Sequence, residues 1–466
     1  MLMAINLNFQ VLDASLLLKI ISERMDIFLR KKLPILIVTL VFSIIILLST
    51  HIFLNTRLNL YWTKELTEKQ KIEDFEYMYN ILKDNYAHFY EVKKMYGYDW
   101  LEYKEQFKEK IKKTKNNLEF YYALNDILLK LHDGHTHVLS PGYYKYLFGP
   151  LGFKPYEDMF RESESSYKMW EKIFKNTYRQ GELEDYYSLK KRRENVVTDV
   201  IEPGKIAYLK IYSFLIDYHK DGEEYKKERN MIYDFLRNIK DYPYLVIDIS
   251  DNEGGNREYW LNAIVAPLRN KLKEVKNLSV EKTYLIRGGE YIVNLLENYI
   301  PDLKNNTIDK LPMYDLLPAG VKENFMYYAT TDIVKDFEKF SKYVEPVDFN
   351  GKIFLIVSRT TYSTASIFAE FCKETGFATV IGERTRKGDG GWLMPGLMRL
   401  PNSGLIVRFD GEMIINQDGT SYFETGTVPD IEIKMIPKNP FEKDEELKQK
   451  IRQLIKSLES EEKGIK

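Results

Sequence analysis

A single cysteine, Cys372, is all this 466-residue sequence contains, so no internal disulfide can staple the fold and the redox compartment stays open. An excess of one charge is missing as well. Lys and Arg number 68 against 69 Asp and Glu, a net charge of −1 that argues against a nucleic-acid partner. Nucleotide motifs are absent, because the glycines of Gly388-Asp-Gly-Gly391 lack the strand, Gly-x-Gly-x-x-Gly, helix order of a dinucleotide or phosphate loop. No internal repeat or low-complexity tract occurs. A hydrophobic content of 44% with 29% charged residues excludes a disordered or collagen-like chain. Histidine is scarce, six in all, yet three of them, His132, His135 and His137, fall in one short piece.

Long hydrophobic runs are also scarce. One run, Leu33 to Leu54, has a single ionisable group, His51, and follows Arg30-Lys31-Lys32. Its length of about 20 residues suffices to cross a bilayer. The basic cluster before it predicts a cytoplasmic segment 1–32, an anchor over 33–54 and the remainder on the extracytoplasmic side of a cell membrane. A cleaved signal peptide is the rival reading, but the run is long for one and no Ala-x-Ala-like site follows. Apolar residues at helical spacing (Phe75, Met78, Tyr79, Leu82; then Phe120, Ala123, Leu124, Ile127, Leu128) predict a small helical module over 63–140 that ends in a histidine-bearing strand. Residues 141–200 read as a variable insert with a helix near Ser165–Asn176. Within it, Phe148-Gly-Pro-Leu-Gly-Phe153 resembles a PDZ carboxylate-binding loop, without the rest of that pattern.

Residues 201–436 read as an α/β core. Strands are expected at Lys205–Tyr212, Tyr244–Ile249, Ile353–Val357 and Ala378–Ile381, with helices at Glu224–Ile239, Tyr259–Leu268 and from Ala365 onward. Alternation of this kind implies parallel βαβ units, whose sites lie at the strands' C-terminal ends. Two stretches occupy such ends: Asp248 to Asn256, with Gly254-Gly255, and Thr360 to Ser363. Residues 437–466 read as a charged C-terminal helix or tail with a solvated face.

Ser363 stands where a strand turns into a helix. It is either an ordinary helix N-cap or a nucleophile beside helix N-terminal N–H groups. Acyl transfer would also need a base and N–H donors for an oxyanion. The donors on offer are Thr364 and Gly255, with Gly254 as the close alternative. The base could come from the histidine cluster or from Lys387, 24 residues after Ser363. A zinc site on His-x-x-His-x-His is a third reading, weakened because a strand would turn His132 away from His135 and His137 and because no second ligand cluster exists.

These segments together resemble the serine peptidases that include the C-terminal processing peptidases and the tricorn core protease. Leu131-His-Asp-Gly-His-Thr136 is similar to that family's L-x-D-x-H-S/T element. Val246-Ile-Asp-Ile-Ser-Asp-Asn-Glu-Gly-Gly-Asn256 is similar to its strand and R-x-N-x-G-G-N loop. Thr361 to Ala369, Ile381-Gly-Glu-Arg-Thr385 and Gly426-Thr-Val-Pro-Asp-Ile431 follow in the family's order. The resemblance implies a crotonase-like core with a mostly parallel sheet, preceded by the helical module. It implies a peptidase with Ser363 as nucleophile, His135 as base in the tricorn manner, Lys387 as the alternative base of the processing type, and Glu424 as the acid that orients the site. It implies no cofactor and no metal. The partner is then a peptide or protein substrate; the membrane, on the separate ground of the apolar run, is reached through the N-terminal helix. Departures from the family pattern are Gly134 for a helper serine, Ser250 for an arginine and Ser366 for a glutamate. The competing class is an inactive peptide-binding homologue.

Overall fold

A computed structural model describes residues 19–25, 42–50, 65–147, 154–175, 194–216, 222–272, 280–335, 344–390, 393–433 and 443–464. The chain forms two units, Met1–Lys64 and Glu65–Lys466. In the first, residues 42–50 are helical and expose Phe42 and Ile44 to Leu48. The rest of the expected span 33–54 lies outside the described residues, as does the loop 148–153. Among the described residues no helix is long and apolar enough to cross a membrane.

In the second unit the strands run β1 (His137–Val138), β2 (Val196–Glu202), β3 (Ile206–Ile211), β4 (Tyr244–Asp248), β5 (Glu281–Ile286) and β6 (Tyr327–Asp332). They continue as β7 (Lys352–Val357), β8 (Thr379–Gly382), β9 (Gly396–Arg399), β10 (Ile406–Phe409), β11 (Glu412–Ile415) and β12 (Ile431–Glu432). The central sheet has the order β12-β8-β7-β4-β3-β2, parallel throughout except for β2 against β3. The strands β3, β4 and β7 are buried on both faces, the reason their sequences are near-continuous apolar runs. One face packs on the helices Glu223–Asn238 and Thr364–Thr375 through Ile232, Leu236 and Phe368. The other is covered by the helix Lys443–Gly464, whose Ile451 and Ile455 are buried against Val246 and Ile356. The C-terminal segment is therefore not a solvated tail. Its Leu447, Ile451, Leu454, Ile455 and Leu458 recur at helical spacing and line one apolar face, closing the second side of the sheet.

The helices Glu68–Asn85 and Asn117–Leu129 form where the spacing predicts them, with Phe89–Tyr96 and Lys104–Lys112 between them in the expected helical module. The first starts at a capping box in which Thr67 and Gln70 satisfy one another's backbone N–H groups. These helices share one apolar cluster with β9, β10 and the helix Glu157–Lys175, joining Phe75, Phe120, Trp170, Met398 and Val407. That last helix begins eight residues before the expected 165–176. The strands β2, β5, β6, β9, β10 and β11 had no expectation; several are short and half polar.

The helix Thr364–Thr375 is tied laterally to β5. Buried Lys282 pairs with Glu370 at 2.5 Å and Glu374 at 2.7 Å. Removing one member of such a group strands a desolvated charge. We expect Lys282→Met to lower unfolding free energy by about 3 kcal/mol in denaturant titrations, with part recovered in Lys282→Met/Glu370→Gln.

Candidate active site

The strands β4 and β7 are parallel neighbours, so the loops leaving their C-terminal ends meet. They are laced together by short polar contacts. The Ser358 hydroxyl donates to Ser250 O, Thr361 Oγ1 to Ile249 O at 3.1 Å, and Tyr362 N–H to Asn252 O at 3.1 Å. Ser363 emerges from this junction with φ 55° and ψ −132°, a conformation that costs a non-glycine residue about 1–3 kcal/mol. It occupies the N-cap position of Thr364–Thr375, yet its side chain caps nothing. Instead Ser363 Oγ lies 3.1 Å from His135 Nε2, within reach for proton transfer. The bland N-cap reading fails on that contact.

The imidazole arrives by a separate route. The strand β1 pairs antiparallel with β10, His137 opposite Arg408 and Val138 opposite Val407. Carrying that register two residues further puts Asp410 across from His135, and Asp410 Oδ2 lies 3.3 Å from His135 Nδ1. Asp133 holds the turn itself: its Oδ1 accepts the His135 N–H at 2.8 Å and its Oδ2 accepts the Thr136 hydroxyl at 2.6 Å. Both ring nitrogens of His135 are thus engaged, one by a serine and one by a carboxylate.

Electrostatics follow from burial. His135 is pushed down to about 4, first by burial and next by the positive charge of Arg408, with Asp389 and Asp133 opposing, so the ring is neutral at pH 7. Asp133 and Asp410 are both pushed above the carboxylate range, chiefly because burial disfavours their charge. Asp410 raises Asp133 further, while Arg408 favours the ionised form of Asp410. Asp133, His135 and Asp410 each bring one ligand-type atom within 4.8 Å of the others, the one such grouping among the described residues. Within that grouping the His135 ring is already engaged on both sides, Nε2 by Ser363 Oγ and Nδ1 by Asp410 Oδ2.

Backbone donors are present. Gly254 N–H is used, donating to Asn252 Oδ1 at 2.8 Å, which removes the alternative to Gly255. The N–H groups of Gly255 and Thr364 donate to no acceptor among the described residues. Glycine is required at 254, where a Cβ would sit 2.8 Å from Ser363 Cβ. It is required at 255 too, with φ 141° and a Cβ 2.3 Å from Phe214 C.

Two sequence-derived assignments do not reach the site. Glu424 is paired with Lys94 at 2.7 Å on the helix Phe89–Tyr96, and the carboxylate on the imidazole is Asp410. Lys387 is exposed and makes no hydrogen bond to Ser363 among the described residues. The departures from the family pattern have structural explanations. A Cβ at Gly134 would lie 2.8 Å from Tyr362 Oη, so no serine fits beside this histidine. Ser366 is buried and donates to Thr361 O at 3.2 Å. Ser250 donates its N–H to Asp248 Oδ1 at 2.8 Å. Sequence reasoning passed over Asp410 and Asp389; the one available signal was a polar Asp-Gly ending an apolar β10 run.

Residues 205–433 match Peptidase family S41. The fold is similar to mature CPAF complexed with lactacystin, with TM-score 0.50 and 14% identity over 84% of this chain and 99% of that one. A lipoprotein from Streptococcus agalactiae has TM-score 0.43 at 13% identity, over 78% of this chain and 92% of that one. The photosystem II D1 C-terminal processing protease has TM-score 0.37 at 13% identity, over 80% and 95%. No curated protein sequence matches the chain.

The placement of the two acids is testable. Asp410→Asn is expected to lower kcat about 10²- to 10⁴-fold by disturbing imidazole tautomer and charge, while Glu424→Gln stays within about threefold of the parent. Steady-state hydrolysis of a generic peptide measures both; equal losses would restore Glu424 to the site.

Proposed function

With the chain belonging to Peptidase family S41, and thus a serine-type peptidase, we propose that it cleaves peptide bonds through an acyl-enzyme at Ser363 with His135 as general base. The observation that carries this reading is the 3.1 Å contact between Ser363 Oγ and His135 Nε2, backed by Asp410 on Nδ1. As Oγ attacks the scissile carbonyl, His135 takes its proton and later delivers it to the leaving amine. Asp410 on Nδ1, with Asp133 nearby, stabilises the imidazolium formed in between. The N–H groups of Gly255 and Thr364 receive the oxyanion, an arrangement worth about 10²–10³ in rate per donor in related chemistry.

The Ser363/Lys387 dyad is the second reading, favoured only by the likeness of Thr385-Arg-Lys-Gly388 to the processing-type loop. A fluorophosphonate probe and a pH profile separate the two. Labelling is expected to vanish in Ser363→Ala, to fall about 10³-fold in His135→Ala and to persist in Lys387→Ala. Because the histidine must be neutral to act, activity falls as pH drops through its pKa. The acid limb of kcat/KM is therefore expected below 6.5, toward about 4. A lysine base must first lose its proton, so an alkaline rise together with loss in Lys387→Ala would overturn His135.

We also propose that the enzyme is a single-pass membrane protein with its catalytic unit on the extracytoplasmic side. Support comes from the basic cluster Arg30-Lys31-Lys32 before the apolar run and from the exposed apolar side chains of the helical stretch 42–50. The full chain is expected to float with phospholipid vesicles and to resist extraction by 1 M salt or carbonate, conditions that strip a peripheral protein. Recovery in the soluble fraction would sink the anchor.

A further inference from the structure

We propose that Asp389 is a positioning residue of this active site, holding the strained backbone of Ser363 with one carboxylate oxygen and facing the catalytic imidazole with the other. The proposal rests on the Ser363/His135 reading. Asp389 is fully buried, and its Oδ2 accepts the Ser363 N–H at 2.7 Å. Its Oδ1 lies 3.9 Å from His135 Nδ1, too far for a hydrogen bond but within ion-pair range once the ring is protonated. A single side chain thereby touches the nucleophile's own peptide and faces its base from the side opposite Nε2.

The need for such a group follows from the turn. Ser363 has φ 55° and a β-carbon, so its conformation persists only if surrounding contacts over-determine it. Thr361 N–H to Ser358 O and Tyr362 N–H to Asn252 O fix the residues before it, and Ile367 N–H to Ser363 O fixes the helix after it. Among the described residues the Ser363 N–H is secured by Asp389 alone. A short bond from an N–H to a buried carboxylate is charge-assisted and stronger than a neutral one. It also withdraws the Ser363 N–H from the oxyanion, leaving that task to Gly255 and Thr364.

The segment that delivers Asp389 is itself pinned from several directions. Thr385 N–H donates to Thr427 O, Arg386 N–H to Thr361 O and Gly388 N–H to Phe423 O, while Tyr362 Oη donates to Gly388 O at 2.7 Å. Gly388, at φ 77°, passes so close to His132 that a Cβ would meet its carbonyl oxygen at 2.4 Å, and a Cβ at Gly390 would meet His88 Nε2 at 2.2 Å. This is the stretch that carries Lys387. Its lysine is exposed and its buried, site-facing member is an aspartate two residues on. The loop thus serves the site by orienting the Ser–His pair rather than by supplying a base.

Asp389→Asn and Asp389→Ala separate the two contacts, since asparagine retains an acceptor for the Ser363 N–H but loses the charge. The groups facing His135 besides Asp389 are Asp133 and His137 near it in sequence, Arg408 on β10 and Asp410 just after it, Arg386 on the loop, Tyr362 against the ring, and His88. All remain in both variants, so a shifted acid limb reports Asp389. Asp389→Ala is expected to lower kcat about 10²-fold at nearly constant KM. Asp389→Asn is expected to lower kcat about tenfold and to move the acid limb of kcat/KM to lower pH, because the imidazolium loses a stabilising negative charge. Circular dichroism melts of both variants identify unfolded protein, and Asp389→Asn, near-isosteric, keeps the test usable if the alanine variant does not fold. Native kcat in Asp389→Ala, a loss confined to KM, or an unmoved acid limb in Asp389→Asn would each overturn the proposal. Parallel Ser363→Ala and His135→Ala controls that stay active would instead overturn the Ser–His reading beneath it.

Discussion

The contact between Ser363 Oγ and His135 Nε2 joins segments 228 residues apart, and the unit's architecture is arranged to make it. A hydrogen bond of this kind contributes only about 1 kcal/mol net, far too little to draw two chain segments together. The scaffold must therefore bring both groups into place independently. The serine comes from the junction of the β4 and β7 loops, on a parallel sheet buried on both faces. The histidine comes from a two-residue strand whose antiparallel pairing with β10 sets its register. The two routes meet at one distance, and an error of one residue in either would turn a side chain to the wrong face.

That difference in origin explains what could be read from the chain. Ser363 and Gly255 sit in local strand–turn patterns, where apolar runs, a glycine pair and a following helical period are visible without tertiary knowledge. His135 lies in an equally compact motif, Leu131 to Thr136. The acid could not be read, because its identity depends on the pairing of β1 with β10 across about 270 residues, and no local period encodes a register. Glu424 is drawn to the same region by the chain's order, but its side chain meets Lys94 on a helix that also had to be placed first. The buried face of Lys443–Gly464 was hidden for a related reason. A helix with many charges and a narrow apolar stripe looks solvated until a sheet face without other cover needs it.

The departures at Gly134, Ser250 and Ser366 illustrate why a motif mismatch is weak grounds for inferring a dead enzyme. Two are absorbed locally: Tyr362 Oη crowds the space a side chain at 134 would need, and the Ser366 hydroxyl satisfies Thr361 O, while at 250 only the backbone N–H is engaged, by Asp248 Oδ1. None of the three removes a proton donor, a proton acceptor or an oxyanion donor. The groups that would handle the reacting atoms are all retained.

The remaining question is why three carboxyls, Asp133, Asp389 and Asp410, are gathered around one imidazole in the interior. In a low-dielectric pocket an ionised group without compensation is expensive, and the raised pKa values of Asp133 and Asp410 express that cost. Arg408 favours the ionised form of Asp410 and so offsets part of that cost. The resting site thus holds a neutral histidine beside partly compensated negative charge. In the proposed mechanism the serine proton would move to His135 and place a positive charge where negative potential already exists, without any group having to reorient. The same low dielectric that makes the arrangement costly at rest makes it effective at that moment.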